Sequence, residues 1–283
     1  MFGINPKVIY TIAKKEFMDN IRSKWILLIS IIFIVLTILS AYVAGASSDE
    51  VFGGFEDTII TLMSIYILLI PIIAIMLGFS TIAGEAEAGS LSVVLSYPVK
   101  RIEVLLGKFL GLGSVLAVTP IIGFGLSGII ISVVIGTGKG FAFLTFIGMA
   151  IVLGLMYLSL IICFSALVKT RVKAMAVGVA LFFWAMIYGV IVMALFLGTG
   201  GDLNKLFTGE ISYPEWLWGS TIFSPGDLNQ LAVVKAYDIK EAMGASLEGS
   251  PDWMSLPFLL IVQLIWIIIP LILAYYFFKR RDI

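Results

Sequence analysis

The chain has 283 residues, of which 60% are hydrophobic and 13% charged, and its 18 basic and 18 acidic residues give a formal net charge of zero. This composition excludes a soluble globular domain, in which charged residues are about twice as frequent, and indicates an all-α integral membrane protein. The chain has no histidine and a single cysteine, Cys163, so neither an intrachain disulfide nor a thiolate metal cluster is expected.

Residues 6–24 are predicted to form an amphipathic helix ahead of the first apolar run. Asn5 followed by Pro6 is a typical helix start, with the amide as cap and proline at the first helical position. Apolar residues then recur about every fourth position, and charged residues take the opposite face. We expect this elbow helix to lie in the membrane interface. Whether its polar face also contacts a cytosolic subunit is left open by the pattern.

Six charge-free windows follow, each long enough to cross a bilayer, which takes about 20 helical residues. They cover residues 25–46, 58–84, 109–138, 140–168, 174–201 and 253–278. None shows the alternation of apolar and polar residues that is typical of a membrane barrel. The sequence therefore predicts six transmembrane helices in a single domain, with residues 202–252 as an external segment.

The distribution of basic residues predicts the orientation of these spans. If the N-terminus is cytosolic, 14 of the 18 basic residues fall in cytosolic segments. Such a bias sets membrane topology. Both termini are therefore expected on the cytosolic side of the cytoplasmic membrane, and acidic residues concentrate in the external segment.

The chain is not expected to be an enzyme. A phosphate-binding loop needs a glycine separated by four residues from Gly-Lys-Ser/Thr, and neither Gly107-Lys108 nor Gly138-Lys139 has that context. The windows hold no Asp, Glu, Lys, Arg or His, which disfavours an intramembrane hydrolase or a proton-coupled carrier. Tyr157, Tyr188 and Gln263 are candidates for lining a pathway, although such side chains more often hydrogen-bond between packed helices.

The loop between the second and third windows is charged and punctuated by turn residues. Glu85 and Glu87 are expected in the first turn of a short helix, where carboxylates favour the positive end of the helix dipole. An apolar edge follows, and Pro98 ends the helix. The residues themselves leave two interpretations open: a loop whose acids solvate a turn, or a coupling helix that transmits motion to the spans.

Four segments carry a family resemblance. They are KKEF at 14–17, GEAEAGSLSVVLSYPVKR at 84–101, GKFLG at 107–111 and SPGDLNQL at 224–231. In these segments and their order the chain resembles the permease subunit of type-2 ABC transporters. Within that superfamily it is most similar to the membrane subunits of ABC transporters for nitrous oxide reductase maturation.

The resemblance implies a half-transporter that works with a separate ATPase subunit and a second permease copy, as a homodimer. The partner would bind ATP and magnesium, so no cofactor and no metal is expected in this chain, and no nucleic-acid partner. By motif match the ATPase contact would fall on Glu85, Glu87, Gly89, Ser90, Leu91, Tyr97, Pro98 and Arg101. The elbow helix would carry Lys14, Lys15, Glu16 and Phe17. Residues 212–238 would form short, partly embedded helices.

Substrate export is the function that the resemblance implies. The alternative is a non-transporting membrane anchor or mechanotransmitter for an ATPase and an extracytoplasmic protein, as in metalloenzyme maturation. A pathway free of charges favours an amphipathic substrate over a bare inorganic ion. The maturation resemblance favours a sulfur- or copper-related cargo, so the substrate stays open.

Overall fold

The structure of the protein is a computed structural model. It describes residues 4–46, 55–135, 140–202, 214–239, 241–242, 245–246 and 250–281. The predicted end of the third window at 136–138 and residues 203–213 of the predicted external segment lie outside the described residues.

The described chain is an α-helical bundle with one very small sheet. The helices are α1 (Pro6–Ile21), α2 (Lys24–Ala46), α3 (Phe55–Gly78), α4 (Ala83–Glu87), α5 (Ser90–Leu95), α6 (Arg101–Ile135), α7 (Gly140–Leu167), α8 (Arg171–Gly198), α9 (Glu215–Ser220), α10 (Pro225–Ala236) and α11 (Leu256–Arg280). A 3₁₀ turn, Thr221–Phe223, joins α9 to α10, and two-residue strands β1 (Glu241–Ala242) and β2 (Ala245–Ser246) pair antiparallel.

Five of the described helices are long and apolar enough to span a membrane, namely α3, α6, α7, α8 and α11. In α2 the stretch Leu27–Leu39 forms a shorter apolar helix by the same measure. The all-α membrane class is thereby confirmed. The elbow helix α1 also has its predicted start, because the Asn5 side chain accepts a hydrogen bond from the Lys7 N–H.

The second span ends earlier than predicted, at Gly78 rather than at residue 84. A turn follows, and the Ser165 hydroxyl of α7 occupies it. This hydroxyl accepts hydrogen bonds from the N–H groups of Ile82 (3.1 Å) and Ala83 (3.0 Å) and donates one to the Phe79 carbonyl. Because α7 satisfies these backbone groups, the chain can leave the helix without stranding them inside the bundle.

The third predicted span corresponds to α6, which begins at Arg101 and not at residue 109. The prediction was wrong because Lys108 was taken as a loop residue, whereas its charge is paired inside the fold. Other ends differ from prediction by a few residues: α1 stops at Ile21, α8 runs from Arg171 to Gly198, and α11 from Leu256 to Arg280. Helix ends fray and are bounded less sharply than helix centres.

Helix α7 is the most buried span and packs against α3, α6 and α11. Four aromatic rings from four helices meet beside it: Phe33, Tyr66, Phe124 and Phe146. Phe124 lies edge-on to Phe33 at 4.9 Å and to Phe146 at 4.8 Å between ring centroids, and Tyr66 lies 5.2 Å from Phe146. Such edge-to-face pairs add to the packing energy of the rings.

The predicted external segment is not a simple outer loop, because α10 lies inside the bundle. It packs against α11 and α7, and most of its residues are buried. Buried Asn229 fixes it, since its side chain accepts a hydrogen bond from the Tyr66 hydroxyl (2.7 Å) and donates one to the Met149 carbonyl (3.0 Å). A polar residue on a short helix is thereby satisfied by two spans.

Candidate functional site

The candidate site is the junction where α1, the α4–α5 segment and the start of α6 meet. Residues 83–98 are called the coupling segment from here on. It consists of two short helices joined at Gly89, whose φ of 76° lies in the left-handed region that glycine adopts without strain. One edge packs inward, with Leu91 fully buried and Val94 and Leu95 partly buried.

The opposite edge of the coupling segment is exposed. Gly89, Ser90, Tyr97 and Pro98 are all exposed there. Val93 and Tyr97 lie four residues apart and expose 61% and 65% of their surface. Because tyrosine is enriched at protein interfaces, exposed Tyr97 makes this edge a candidate docking surface.

A buried ion cluster ties the coupling segment to the elbow helix. The Lys108 ammonium of α6 donates to the Glu16 carboxylate of α1 at 2.8 Å and to the Glu85 carboxylate of α4 at 2.5 Å. The side chains of Lys108, Glu16 and Glu85 are 3%, 8% and 24% exposed. Glu85 is therefore largely buried and paired, unlike an acid that only solvates a turn. Its carboxylate points at a cation that belongs to the next span.

Lys15 and Asp19 extend this cluster to the surface. The Lys15 ammonium lies 3.3 Å from the Glu16 carboxylate and 3.3 Å from the Asp19 carboxylate. Partial burial opposes the charge on Lys15, but the carboxylates of Glu16, Glu85 and Asp19 outweigh it and raise the pKa of the ammonium. The ammonium therefore stays protonated and balances the second carboxylate around Lys108.

Two glycines let α1 approach α6 closely enough to form the cluster. A Cβ at Gly107 would lie 2.7 Å from the Ile12 side chain, and one at Gly111 would lie 2.6 Å from the Ala13 carbonyl oxygen. These are the two glycines of the GKFLG segment, and Lys108 lies between them. Small residues spaced by four positions are typical of tight helix contacts in membranes.

Glu103 fixes the ends of both helices at this junction. Its carboxylate accepts from the N–H of Asn5 at 2.7 Å and from the N–H of Lys100 at 2.9 Å. The start of α1 and the approach to α6 are therefore held by one buried side chain. Of the four elbow residues, Glu16 is buried, Phe17 packs partly on the core, and Lys14 and Lys15 are exposed.

Glu87 connects the coupling segment to α8, and Arg101, the first residue of α6, connects the start of α6 to α11. The exposed Glu87 carboxylate accepts the backbone N–H of Arg171 at 2.6 Å, at the start of α8. Arg101 donates to the carbonyls of Phe278, Lys279 and Arg281 at the end of α11. Its guanidinium is thus engaged within the chain, and a carboxylate at a helix start and a cation at a helix end both favour the local dipole.

The three pathway candidates are all buried, or nearly so, within a single copy. Tyr157 and Gln263 are buried, and Tyr188 is 9% exposed. Tyr188 donates to the Ser220 carbonyl at 2.6 Å, while neither amide atom of Gln263 has a hydrogen-bond partner among the described residues. Within one copy, Tyr188 joins α8 to the end of α9, and Gln263 lies in the interior.

Sequence reasoning missed Lys108, Glu103, Ser165 and Asn229 as organising residues. One signal was available for the ion cluster: Glu16 follows Ile9, Ile12 and Ala13 at the spacing of the apolar face of α1. A charge on that face requires a buried partner of opposite sign. Which cation it meets could not be read from the chain, since Lys108 is 92 residues away.

Comparison with known proteins agrees with this architecture. The family model of the ABC-2 family transporter protein matches residues 10–283. The chain belongs to the ABC-2 transporter family. It is 32% identical over 282 residues to the probable ABC transporter permease protein NosY of Stutzerimonas stutzeri, covering 96% of this chain and 98% of that protein. The corresponding protein of Pseudomonas aeruginosa is 32% identical over 284 residues, covering 98% and 99%.

These matches confirm the resemblance to type-2 ABC permeases and to NosY in particular. An ABC-2 permease is a multi-pass membrane protein that implies an ATPase partner, and a permease role accords with a chain that is not itself an enzyme. No residue-level role follows from the matches, so the coupling residues stay predictions.

Proposed function

We propose that this chain is the membrane-spanning subunit of an ABC exporter, in which a separate ATPase subunit binds ATP and magnesium and drives export across the cytoplasmic membrane. The observation that supports this best is the two-sided coupling segment. Val93 and Tyr97 on its exposed edge are accessible to a partner. On its inner side, Glu85 is bound to Lys108 of α6.

The contacts between the coupling segment and the spans explain how motion would pass from the ATPase to the bundle. Glu85 connects the coupling segment to α6 and α1 through Lys108, Glu87 connects it to α8, and Ser165 connects the turn before it to α7. A displacement of residues 83–98 would therefore be shared among four other helices. Packed elements with discrete contacts transmit such displacements better than a loop does.

Two copies would form the transporter, with the pathway between them. The faces available for a second copy or for lipid include the apolar faces of α8 and α11, on which large residues such as Val190, Ile261 and Ile272 are exposed, and that of α2. Basic residues favour a cytosolic coupling segment and cytosolic termini. We expect a membrane-impermeant thiol reagent to label Ser90→Cys only after the cells are opened. The same reagent should label Asp202→Cys in sealed cells. The reverse pattern would contradict this orientation.

The ATPase contact is tested by changing the exposed edge alone. In Val93→Asp/Tyr97→Ala the buried edge is untouched, so the permease is expected to insert normally but to lose most co-purification with its ATPase and most complex-dependent ATP hydrolysis. Val172→Asp is the matched control, because Val172 is 76% exposed at the start of α8 and lies outside the coupling segment. Full ATPase binding by the double variant would refute the proposed contact.

A second candidate function is a mechanotransmitter that passes force to an extracytoplasmic protein without moving a substrate. The full-length similarity to NosY supports this second candidate function. The embedding of α10 also supports it, because α10 gives an outer partner access to the spans. Just ahead of α10, Trp216 of α9 and Phe223 of the 3₁₀ turn are 44% and 67% exposed. Transport of amphipathic dyes or small ions by the reconstituted complex would support export, and ATP-dependent capture of an outer protein without transport would support the alternative.

A further inference from the structure

We propose that a cleft beside the coupling segment binds the headgroup of an anionic phospholipid. The cleft has a volume of about 530 Å³ and lies among the ends of α4, α7 and α11. This volume falls within the range of roughly 300–1,000 Å³ that is typical of small-molecule sites. Its lining includes Glu87, Leu167, Lys169, Phe277, Arg280 and Arg281.

The charges of the lining favour an anion. Three of its side chains are cationic, and none of the three forms an ion pair with a carboxylate among the residues that the structure describes. The carboxylate of Glu87 accepts the Arg171 N–H at the start of α8. Arg281 is used structurally, since it donates to the carbonyls of Val168 (2.8 Å) and Lys169 (3.0 Å) just beyond the end of α7. Lys169 and Arg280 are exposed and remain for a ligand.

The apolar surroundings favour a lipid over a free anion. Leu167 is 50% exposed at the mouth of the cleft. From Arg280 a stripe of exposed residues runs back along α11 through Tyr276, Leu273 and Ile269, at helical spacings of four, three and four residues. The stripe is roughly 16 Å long at 1.5 Å per residue, so it can lie along an acyl chain whose phosphate is at Arg280.

The position in the membrane is consistent with this ligand. Helices α7 and α11 are both long enough to span, and the cleft lies at their ends, where headgroups are found. Basic pockets between spans on the cytoplasmic side suit anionic headgroups, because that leaflet carries the negative lipids. The Arg280 guanidinium stacks 4.1 Å above the Tyr276 ring, which holds the cation at the membrane border.

The test is native mass spectrometry of the full chain released from nanodiscs that contain equal amounts of phosphatidylglycerol and phosphatidylcholine. Wild type is expected to retain phosphatidylglycerol preferentially. In Lys169→Gln/Arg280→Gln the preference for phosphatidylglycerol is expected to fall about thirtyfold. This factor follows because each basic side chain near a membrane surface contributes roughly fivefold to the affinity for anionic lipid. The matched control, Lys173→Gln/Lys279→Gln, removes two exposed cations at the same border that do not line the cleft and should keep the wild-type preference.

Three results would overturn the proposal. They are equal retention of both lipids by wild type, an equal loss in the control, and an unchanged lipid preference with lost ATPase binding in Lys169→Gln/Arg280→Gln. The last result would assign the cleft to the ATPase contact instead. Because lipid retention is measured without ATP or substrate, the proposal can fail while the transport function stands.

Discussion

The two ends of the bundle are held together by different chemistry. At the coupling end, charged groups make the contacts: Lys108 joins three helices, Glu87 attaches the coupling segment to α8, and Arg101 attaches the start of α6 to α11. At the end where α10 is embedded, aromatic rings and neutral hydrogen bonds make them, around Phe124 and Asn229. Charged contacts depend on a few atoms and can exchange partners, whereas interlocked rings must move together. We therefore expect the coupling end to rearrange more readily than the end around Phe124 and Asn229.

Lys108→Met is expected to have the largest effect. The substitution leaves the buried Glu16 carboxylate with Lys15 as its remaining cation. Because one partner of a buried ion pair is then missing, the free energy of unfolding should fall by about 3–5 kcal/mol. Denaturant unfolding of the purified chain in mixed micelles measures this. Lys14→Met, an exposed change on the same elbow helix, should alter stability by less than about 0.5 kcal/mol.

A triple variant separates folding from coupling. Replacing Lys108, Glu16 and Glu85 together by Met removes all three charges, so most of the lost stability should return. ATP hydrolysis by the complex should nevertheless lose its dependence on substrate, because the coupling segment is no longer linked to α1 by charge. If the triple variant couples normally, the ion cluster has a folding role alone.

Asn229→Ala tests the opposite end and is expected to cost about 2–3 kcal/mol, because the Tyr66 hydroxyl is left buried without its acceptor. The neighbouring Gln230→Ala removes an amide of similar size that is partly exposed, and it should be close to neutral. The same unfolding measurement applies. A larger loss for Gln230→Ala than for Asn229→Ala would contradict the assigned role of the Tyr66 contact.

Gly111→Ala is expected to have the smallest effect of the series, about 1–3 kcal/mol, from overpacking against α1. Gly125→Ala on the same helix is the control, since a Cβ there meets nothing within 4 Å. It should be neutral or stabilising by up to about 1 kcal/mol through helix propensity. Equal melting temperatures for the two variants would show that α1 does not press on α6 as described.

The sequence predicts the parts of this fold that depend on local composition. Apolar length identifies the spans, and Asn5-Pro6 identifies the start of the elbow helix. The sequence does not predict a helix end or a buried charge that depends on a side chain far away in the chain. The second span ends where it does because Ser165 meets the backbone more than 80 residues away, and Lys108 belongs to a helix because two distant carboxylates neutralise it.

The candidate site was predicted in the same uneven way. The motif located the coupling segment, and Gly89 and Leu91 have the turn and buried positions that its pattern indicates. Burial of Glu85 was not predicted, because an acid in a loop is ordinarily solvated and its partner lies 23 residues further along. The contribution of Asn229 was also not evident, since nothing local pairs it with Tyr66.

The contact between Arg101 and the end of α11 has a consequence for biogenesis. These groups are 177 to 180 residues apart in the chain, so Arg101 emerges from the ribosome long before the carbonyls that it binds. Until the last span has been inserted, the guanidinium at the start of α6 has no helix end to cap. The start of α6, directly after the coupling segment, thus acquires this attachment only at the last step of membrane insertion, and a chain stalled before that step would lack the contact between α6 and α11.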